Sequence, residues 1–285
     1  MRFWGGMAFV ILVGSTGSMV EAAPFLPSLN AATVPPAINP VVVFGKSSRR
    51  TAEDFAAEHR VDIAELRRDQ SASGLIQCGD AHGAGQLTMS SNVVTTAAHV
   101  FYDENGLPRS QTCTFDLTAD GQTTHVPIDL KSIVAGSTNP YAVPPAHDWA
   151  VVRLAHRVAG VKPYTLADDI HPNEPVTFVA RGHIDWGEAK KLSLQECLMH
   201  DQLAATEDGT REFSFDCDTG DGASGGALMF DKGRSQIGAI LVGWRSNRPF
   251  NAVPFSRTHY NFAVTMEGDF RKAVLAAAGN LTAQK

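Results

Sequence analysis

Positive charge is scarce in this chain: 24 Lys and Arg stand against 30 Asp and Glu over 285 residues, a formal net charge of −6. Without a basic face there is no electrostatic footprint for a phosphate backbone, so nucleic acid is set aside as a partner. Charged residues of all kinds amount to 19% against 44% hydrophobic, which excludes a disordered, self-repelling chain and leaves ample material for a core. Signatures of bound metal are missing: there is no C-x-x-C, no His-Glu-x-x-His, and the 10 histidines are scattered without ligand spacing. Neither a metal nor a cofactor is expected. Beyond residue 22 no apolar run is long enough to cross a bilayer, so no membrane span is expected.

Residues 1–22 read as a signal peptide. Met1-Arg2 is a short positive end, Phe3 to Val13 is almost wholly apolar, and Val20-Glu21-Ala22 places small residues around a cleavage point. Gly14 to Ser18 interrupts the run before it could anchor in a bilayer. The implied location is outside the cytoplasm, extracellular or periplasmic. Four cysteines, Cys78, Cys113, Cys197 and Cys217, are an even number in an exported chain and imply two disulfides. Three pairings are formally open, and joining sequence neighbours would put one staple in each half.

Residues 23–70 form either a pro-segment or an N-terminal strap. Prolines at 24, 27, 35, 36 and 40 punctuate its first part. Thr51 to Asp69 reads as one helix, with Thr51 as cap, Glu53 and Asp54 in the first turn, Arg67-Arg68 in the last, and Phe55, Val61, Ile63 and Leu66 as a partial apolar face. Arg49-Arg50 and Arg67-Arg68 are expected to be exposed and open to trimming.

From Ser71 onward the chain becomes short β-type runs separated by Gly, Pro, Asn and Asp. Twelve candidates recur: 75–78, 86–89, 92–96, 113–117, 126–134, 149–154, 175–180, 191–198, 211–217, 227–230, 236–242 and 261–266. With no helices between them they indicate an all-β sandwich or barrel pair. Gly268 to Ala278, with Phe270, Val274 and Leu275 at helical spacing, reads as a terminal helix in the segment 268–285.

Serine-based nucleophilic catalysis needs a hydroxyl, an imidazole to take its proton, a carboxylate to orient the imidazole and N–H donors for the oxyanion. Ser224 lies in Asp218-Thr219-Gly220-Asp221-Gly222-Ala223-Ser224-Gly225-Gly226, where glycines allow a tight loop to aim successive amides at one point. The Gly222 and Ser224 amides are the candidate oxyanion hole. His99 follows the apolar Val93-Val94 run in Thr95-Thr96-Ala97-Ala98-His99, whose small residues leave room for a nucleophile. Asp148 precedes the strand Trp149 to Leu154; a carboxylate buried at its mouth would need a partner, and His99 could supply one. His147 would point away from Asp148 if the segment were extended.

Taken in order, Thr-Ala-Ala-His at 96–99, Asp-Trp-Ala-Val-Val-Arg-Leu at 148–154 and Gly-Ala-Ser-Gly-Gly at 222–226 resemble the chymotrypsin-like serine proteases over roughly 71–275. Cys217-Asp218-Thr219 and Asn261-Phe262-Ala263-Val264 are similar to the bacterial glutamyl-endopeptidase-like branch. The resemblance implies two packed antiparallel β-barrels, the first at 71–157 with His99 and Asp148, the second at 158–267 with Ser224, and a cleft between them. It makes Ser224 the nucleophile, His99 the base and Asp148 its orienter, in a secreted endopeptidase that meets protein or peptide substrates as a monomer. Cys78 and Cys113 flank the His99 motif as the family's histidine-loop disulfide does, leaving Cys197 for Cys217. Leu241, Val242 and Gly243 match the strand that pairs with substrate backbone. Asp218 stands where trypsin-like members place an acid on the floor of the pocket for the residue before the scissile bond, and could equally be a turn residue. His259 and Asn261 would line the opposite wall.

Departures from the family pattern are specific. Ala223 stands where pancreatic members carry the Asp that receives a new N-terminal ammonium, and no Ile-Val-Gly-Gly start exists. Glutamate-selective members have a His where Ile240 stands. Two other functions compete. Gly222 to Gly226 also satisfies the G-x-S-x-G elbow of α/β-hydrolase esterases, with His259 as base, and a protease homologue could keep the barrels as a secreted binding scaffold without catalysis.

Overall fold

In the computed structural model, residues 41–119, 121–186, 191–230, 235–248 and 251–279 are described. The signal-peptide reading of 1–22, the Pro-rich stretch 23–40 and the tail 280–285 lie outside the described residues. None of the described helices is long and apolar enough to cross a membrane.

The described chain begins with a two-residue strand, β1 (Val41–Val42), and two helices, α1 (Ala52–His59) and α2 (Ile63–Asp69). The expected single helix over 51–69 is thus two. Thr51 Oγ1 caps α1 by accepting from the Asp54 N–H at 3.1 Å, but Arg60 takes a left-handed φ of 56° and ends it. Asp62 then caps α2 through the Glu65 N–H at 2.8 Å. The Asp-x-x-Glu spacing at 62–65 is a start signal that a one-helix reading overlooks. Because the phase is reset, Phe55, Ala56 and Leu66 enter the core while Val61 stays exposed. Arg49 is only 9% exposed and Arg50 exchanges two backbone hydrogen bonds with Leu194, at 2.9 and 3.0 Å, so the expected open site at Arg49-Arg50 is closed.

The first barrel closes in the order β2 (Ser73–Cys78), β3 (Ala81–Leu87), β4 (Val93–Thr96), β7 (Ala150–Leu154), β6 (Gln122–Ala135), β5 (Cys113–Ala119) and back to β2. Ile76, Leu87, Val94, Phe115, Leu117 and Val152 are buried in its core cluster. Strand β3 starts earlier than its apolar pattern suggests because Ala-His-Gly-Ala-Gly pairs with β2 by backbone alone, its glycines lying against Val100, Ile76 and Val94. Its end comes before Met89, whose φ of 60° leaves the strand conformation. Cys78 and Cys113 lie directly opposite each other in the β2–β5 ladder and are disulfide-bonded, with Cα atoms 4.4 Å apart.

The second barrel runs β13 (Ala227–Met229), β9 (Pro175–Ala180), β10 (Ser193–Ala205), β11 (Arg211–Phe215), β15 (His259–Thr265), β14 (Gln236–Ser246), and closes by β14 pairing again with β13. Phe178, Phe213, Phe215, Leu228, Leu241 and Ala263 fill it. A short β8 (Thr165–Leu166) joins β14 in parallel, and β12 (Thr219–Gly220) pairs with β1. Two-residue strands have no periodicity to betray them, and none of these three was expected. The second disulfide, Cys197–Cys217, has a Cα separation of 5.1 Å and ties β10 to the segment leading into Ser224.

Helix α3 (Gly268–Gly279) packs against β7 and β4 of the first barrel. Phe270 stacks on Trp149 at 4.9 Å and 10°, a contact worth about 1 kcal/mol beyond the area it buries. Val274 is buried beside it, whereas Leu275, expected on the same face, is 43% exposed. The fold is all-β, two antiparallel barrels with a C-terminal helix.

Candidate active site

The base and its carboxylate come from the ends of neighbouring strands. β4 and β7 pair directly, Thr96 opposite Ala150, so the turn after β4 and the turn before β7 emerge together. Ala97 and Ala98 are fully buried, and the 3₁₀ turn Ala98–Val100 presents His99 at the barrel mouth. Asp148, 6% exposed, accepts from the His99 backbone N–H at 2.9 Å with Oδ1 and from His99 Nδ1 at 2.6 Å with Oδ2. A carboxylate can only accept here, so Nδ1 carries the proton and Nε2 is left as the basic nitrogen. The segment before Asp148 is a 3₁₀ turn, Pro145–His147, rather than extended, and His147 is half-buried there.

Two further groups around His99 were not foreseen. Arg109 Nε donates to the His99 carbonyl at 2.9 Å, and its Nη2 donates to the Tyr141 hydroxyl at 3.1 Å. The Tyr141 ring lies 6.0 Å from the imidazole. Arg109 lies in a loop and Tyr141 in the three-residue 3₁₀ turn Pro140–Ala142, neither with a periodicity or motif, so nothing in the sequence announced them.

Ser224 sits in a loop whose shape requires glycine at two places. Gly222 has φ 89° and Gly225 φ 83°, and a Cβ at either would collide with backbone, with the Gly182 carbonyl at the first and the Ala84 carbonyl at the second. Ala84 in β3 donates to the Ser224 carbonyl at 2.7 Å and Gly225 donates to Leu241 in β14 at 2.7 Å, so the loop is pinned to both barrels. Among the described residues the Gly222 and Ser224 amides donate to nothing. His99, Asp148, Ser224 and Gly222 border one cavity of about 680 Å³ between the barrels. The Ser224 hydroxyl makes no hydrogen bond to His99, although both border this cavity.

The expected substrate-contact residues divide. Leu241, Val242 and Gly243 border the cavity. Past Leu241 the edge of β14 opposite β15 has no strand partner among the described residues, leaving backbone free for an added strand. Asp218, His259 and Asn261 are not on the wall. Asp218 is 1% exposed; its Oδ1 accepts from the Phe44 N–H at 2.8 Å and its Oδ2 from the Ser48 N–H and hydroxyl at 2.5 and 3.0 Å. His259 Nδ1 is 2.6 Å from Ser246 Oγ, and its ring lies edge-on to Phe44. Asn261 accepts from the Thr219 hydroxyl at 2.8 Å and donates to the Cys217 carbonyl at 2.6 Å. These three hold the wall from behind. The esterase alternative fails here, because the fold is not α/β and His259 is turned away from the Ser224 cavity.

Two antiparallel barrels with His, Asp and Ser gathered in the cleft between them define a chymotrypsin-type architecture. Residues 83–238, more than half the chain, match the family described as trypsin-like peptidase domain, and the chain belongs to that family. Similar solved structures include a Glu endopeptidase in complex with MPD, with 15% identity, a TM-score of 0.60, and coverage of 84% of this chain and 100% of that one. A thermostable serine protease, AL20, from an extremophilic microorganism matches at 12% identity and a TM-score of 0.54, covering 74% and 99%. Neuropsin, a serine protease expressed in the limbic system of mouse brain, matches at 16% and 0.53, covering 74% and 95%. At these identities the likeness concerns the fold. No curated protein matches the sequence.

Proposed function

We propose that the protein is a secreted serine endopeptidase. The observation that carries this reading is the Asp148 carboxylate gripping both the backbone and the ring of His99 in a cleft that Ser224 also borders. In the mechanism, Ser224 Oγ attacks the scissile carbonyl while His99 Nε2 takes its proton. Asp148 stabilises the imidazolium, and the uncommitted Gly222 and Ser224 amides receive the oxyanion. His99 then returns the proton to the leaving amine, giving an acyl-enzyme. Water enters, loses a proton to His99, and releases the acid with Ser224 restored. Substrate backbone adds to the open edge of β14 at Val242 and Gly243. Because the Asp218 carboxylate is consumed by residues 44–48, the side chain before the scissile bond is taken to be uncharged, small or apolar. Two disulfides and the signal-like start support export.

A fluorophosphonate probe tests the assignment directly. Covalent labelling of the native protein and none of Ser224→Ala is the expected result. An unlabelled, correctly folded native protein supports instead a scaffold that has lost catalysis.

A further inference from the structure

The oxyanion loop is held from below by two neighbours, and one strap grips both. Ile184 N–H donates to the Asp221 carbonyl at 3.0 Å, immediately before Gly222. Gly182 lies so close to Gly222 that a Cβ on either would meet the other's carbonyl. The segment 182–186 therefore sets where the Gly222 peptide can lie. That segment is fastened by Arg49. Its Nη1 and Nη2 fork onto Asp185 at 3.0 and 2.7 Å, Nη1 also reaches His183 Nδ1 at 3.4 Å, and the guanidinium lies 5.9 Å from the Trp186 ring centre.

The same strap holds the other side of the loop. β1 pairs with β12, Val41 opposite Gly220 and Val42 opposite Thr219, and the Phe44 and Ser48 amides close on Asp218. The three residues gripped by the strap, Asp218, Thr219 and Gly220, and Asp221, which Ile184 holds, lead straight into Gly222. A buried arginine fork is a costly way merely to attach a strap, since its desolvation offsets much of its attraction and an apolar contact would serve as well. What it adds is geometry, fixed at a point one hydrogen bond away from the oxyanion loop.

We propose that Arg49 is a positioning residue, and that residues 41–50 form an internal brace holding the Gly222 amide in its catalytic orientation. The inference rests on the endopeptidase reading above. It supplies by an internal side chain the ordering that pancreatic members obtain from a new N-terminal ammonium, for which this chain has Ala223 and no acceptor. Activity then needs no cut inside 41–50, and a cut between Arg49 and Arg50 abolishes it.

The test uses full-length Arg49→Ala, Arg49→Lys and Asp185→Asn, with Phe55→Ala as a strap variant that lowers stability without touching 182–186. Readouts are kcat and KM on a peptide substrate, the fluorophosphonate labelling rate, and Tm. Expected for Arg49→Ala and Asp185→Asn is a kcat loss of about 10- to 100-fold with KM changed by less than about 3-fold, as for a weakened oxyanion donor. Arg49→Lys, keeping charge without the fork, falls between. Phe55→Ala keeps kcat within about 2-fold below its Tm. Native kcat in both Arg49→Ala and Asp185→Asn, or an equal kcat loss in Phe55→Ala, overturns the brace while leaving the endopeptidase reading intact. If Arg49→Ala does not fold, Asp185→Asn alone decides. A native protein that neither labels nor turns over ends the endopeptidase reading and this inference with it.

Discussion

Asp148 holds His99 with both oxygens of one carboxylate, one on the backbone N–H at 2.9 Å and one on Nδ1 at 2.6 Å. The backbone bond fixes where the 3₁₀ turn ends, and the ring bond fixes the tautomer. The two strands that bring these residues together are adjacent in the barrel, so the pair is set by sheet pairing rather than by loop flexibility.

Asp148→Asn tests the second bond. Its side-chain oxygen can satisfy one donor, while its NH₂ cannot accept from the other, and an NH₂ facing the ring forces the proton onto Nε2. The expected outcome is a kcat loss of roughly 10³- to 10⁴-fold near neutral pH with Tm lowered only modestly. Activity within tenfold of native would show that the imidazole is not oriented this way.

Asp218 separates two readings of the specificity pocket. With its carboxylate accepting from Phe44 and Ser48, Asp218→Ser strips partners from buried donors and is expected to cost about 1–3 kcal/mol of stability. A library varied at the residue before the scissile bond should show the same uncharged preference in native and variant. Preference for Arg or Lys in the native enzyme, lost in Asp218→Ser, would place the acid on the pocket floor after all.

His183 predicts a pH dependence of stability. Burial, reinforced by the adjacent Arg49 and opposed by Asp185, pushes its pKa down from 6.5 to about 3. Arg49 donates to Nδ1, so the imidazole proton is on Nε2, which has no partner. A depressed base binds its proton in the unfolded chain first. Its contribution is therefore whole above pH 6.5 and is lost as pH falls from there toward 3. At pH 5 the loss is roughly 2 kcal/mol at about 1.4 kcal/mol per unit. Denaturant melts of native protein and His183→Gln at pH 7 and pH 5 check it: the native protein should lose more stability on acidification than the variant, and equal losses would count against a neutral buried His183.

The all-β class, the terminal helix and the three motifs around His99, Asp148 and Ser224 were legible in the sequence. Short apolar runs bounded by Gly, Pro and Asp encode strands, and small residues or glycines beside a chemical group record that something must approach it closely. These are local signals, carried within about ten residues. The chain alone narrowed the cysteines to two disulfides with three pairings open, and the pairing that the family resemblance implied, Cys78–Cys113 and Cys197–Cys217, is the one present, the first set by the β2–β5 register.

What depends on residues far apart in the chain was decided by tertiary structure. Asp218 reads locally as a pocket acid or a turn residue, whereas in the fold its oxygens are taken by Phe44 and Ser48, 174 and 170 positions away. His259 and Asn261 stand in the expected strand, yet they face Phe44 and Thr219 instead of the cleft. Arg49 resembled an exposed basic site until Asp185, 136 positions later, formed its pocket. A side chain's neighbours across a barrel are set by strand register and crossover, and no window of sequence contains that information.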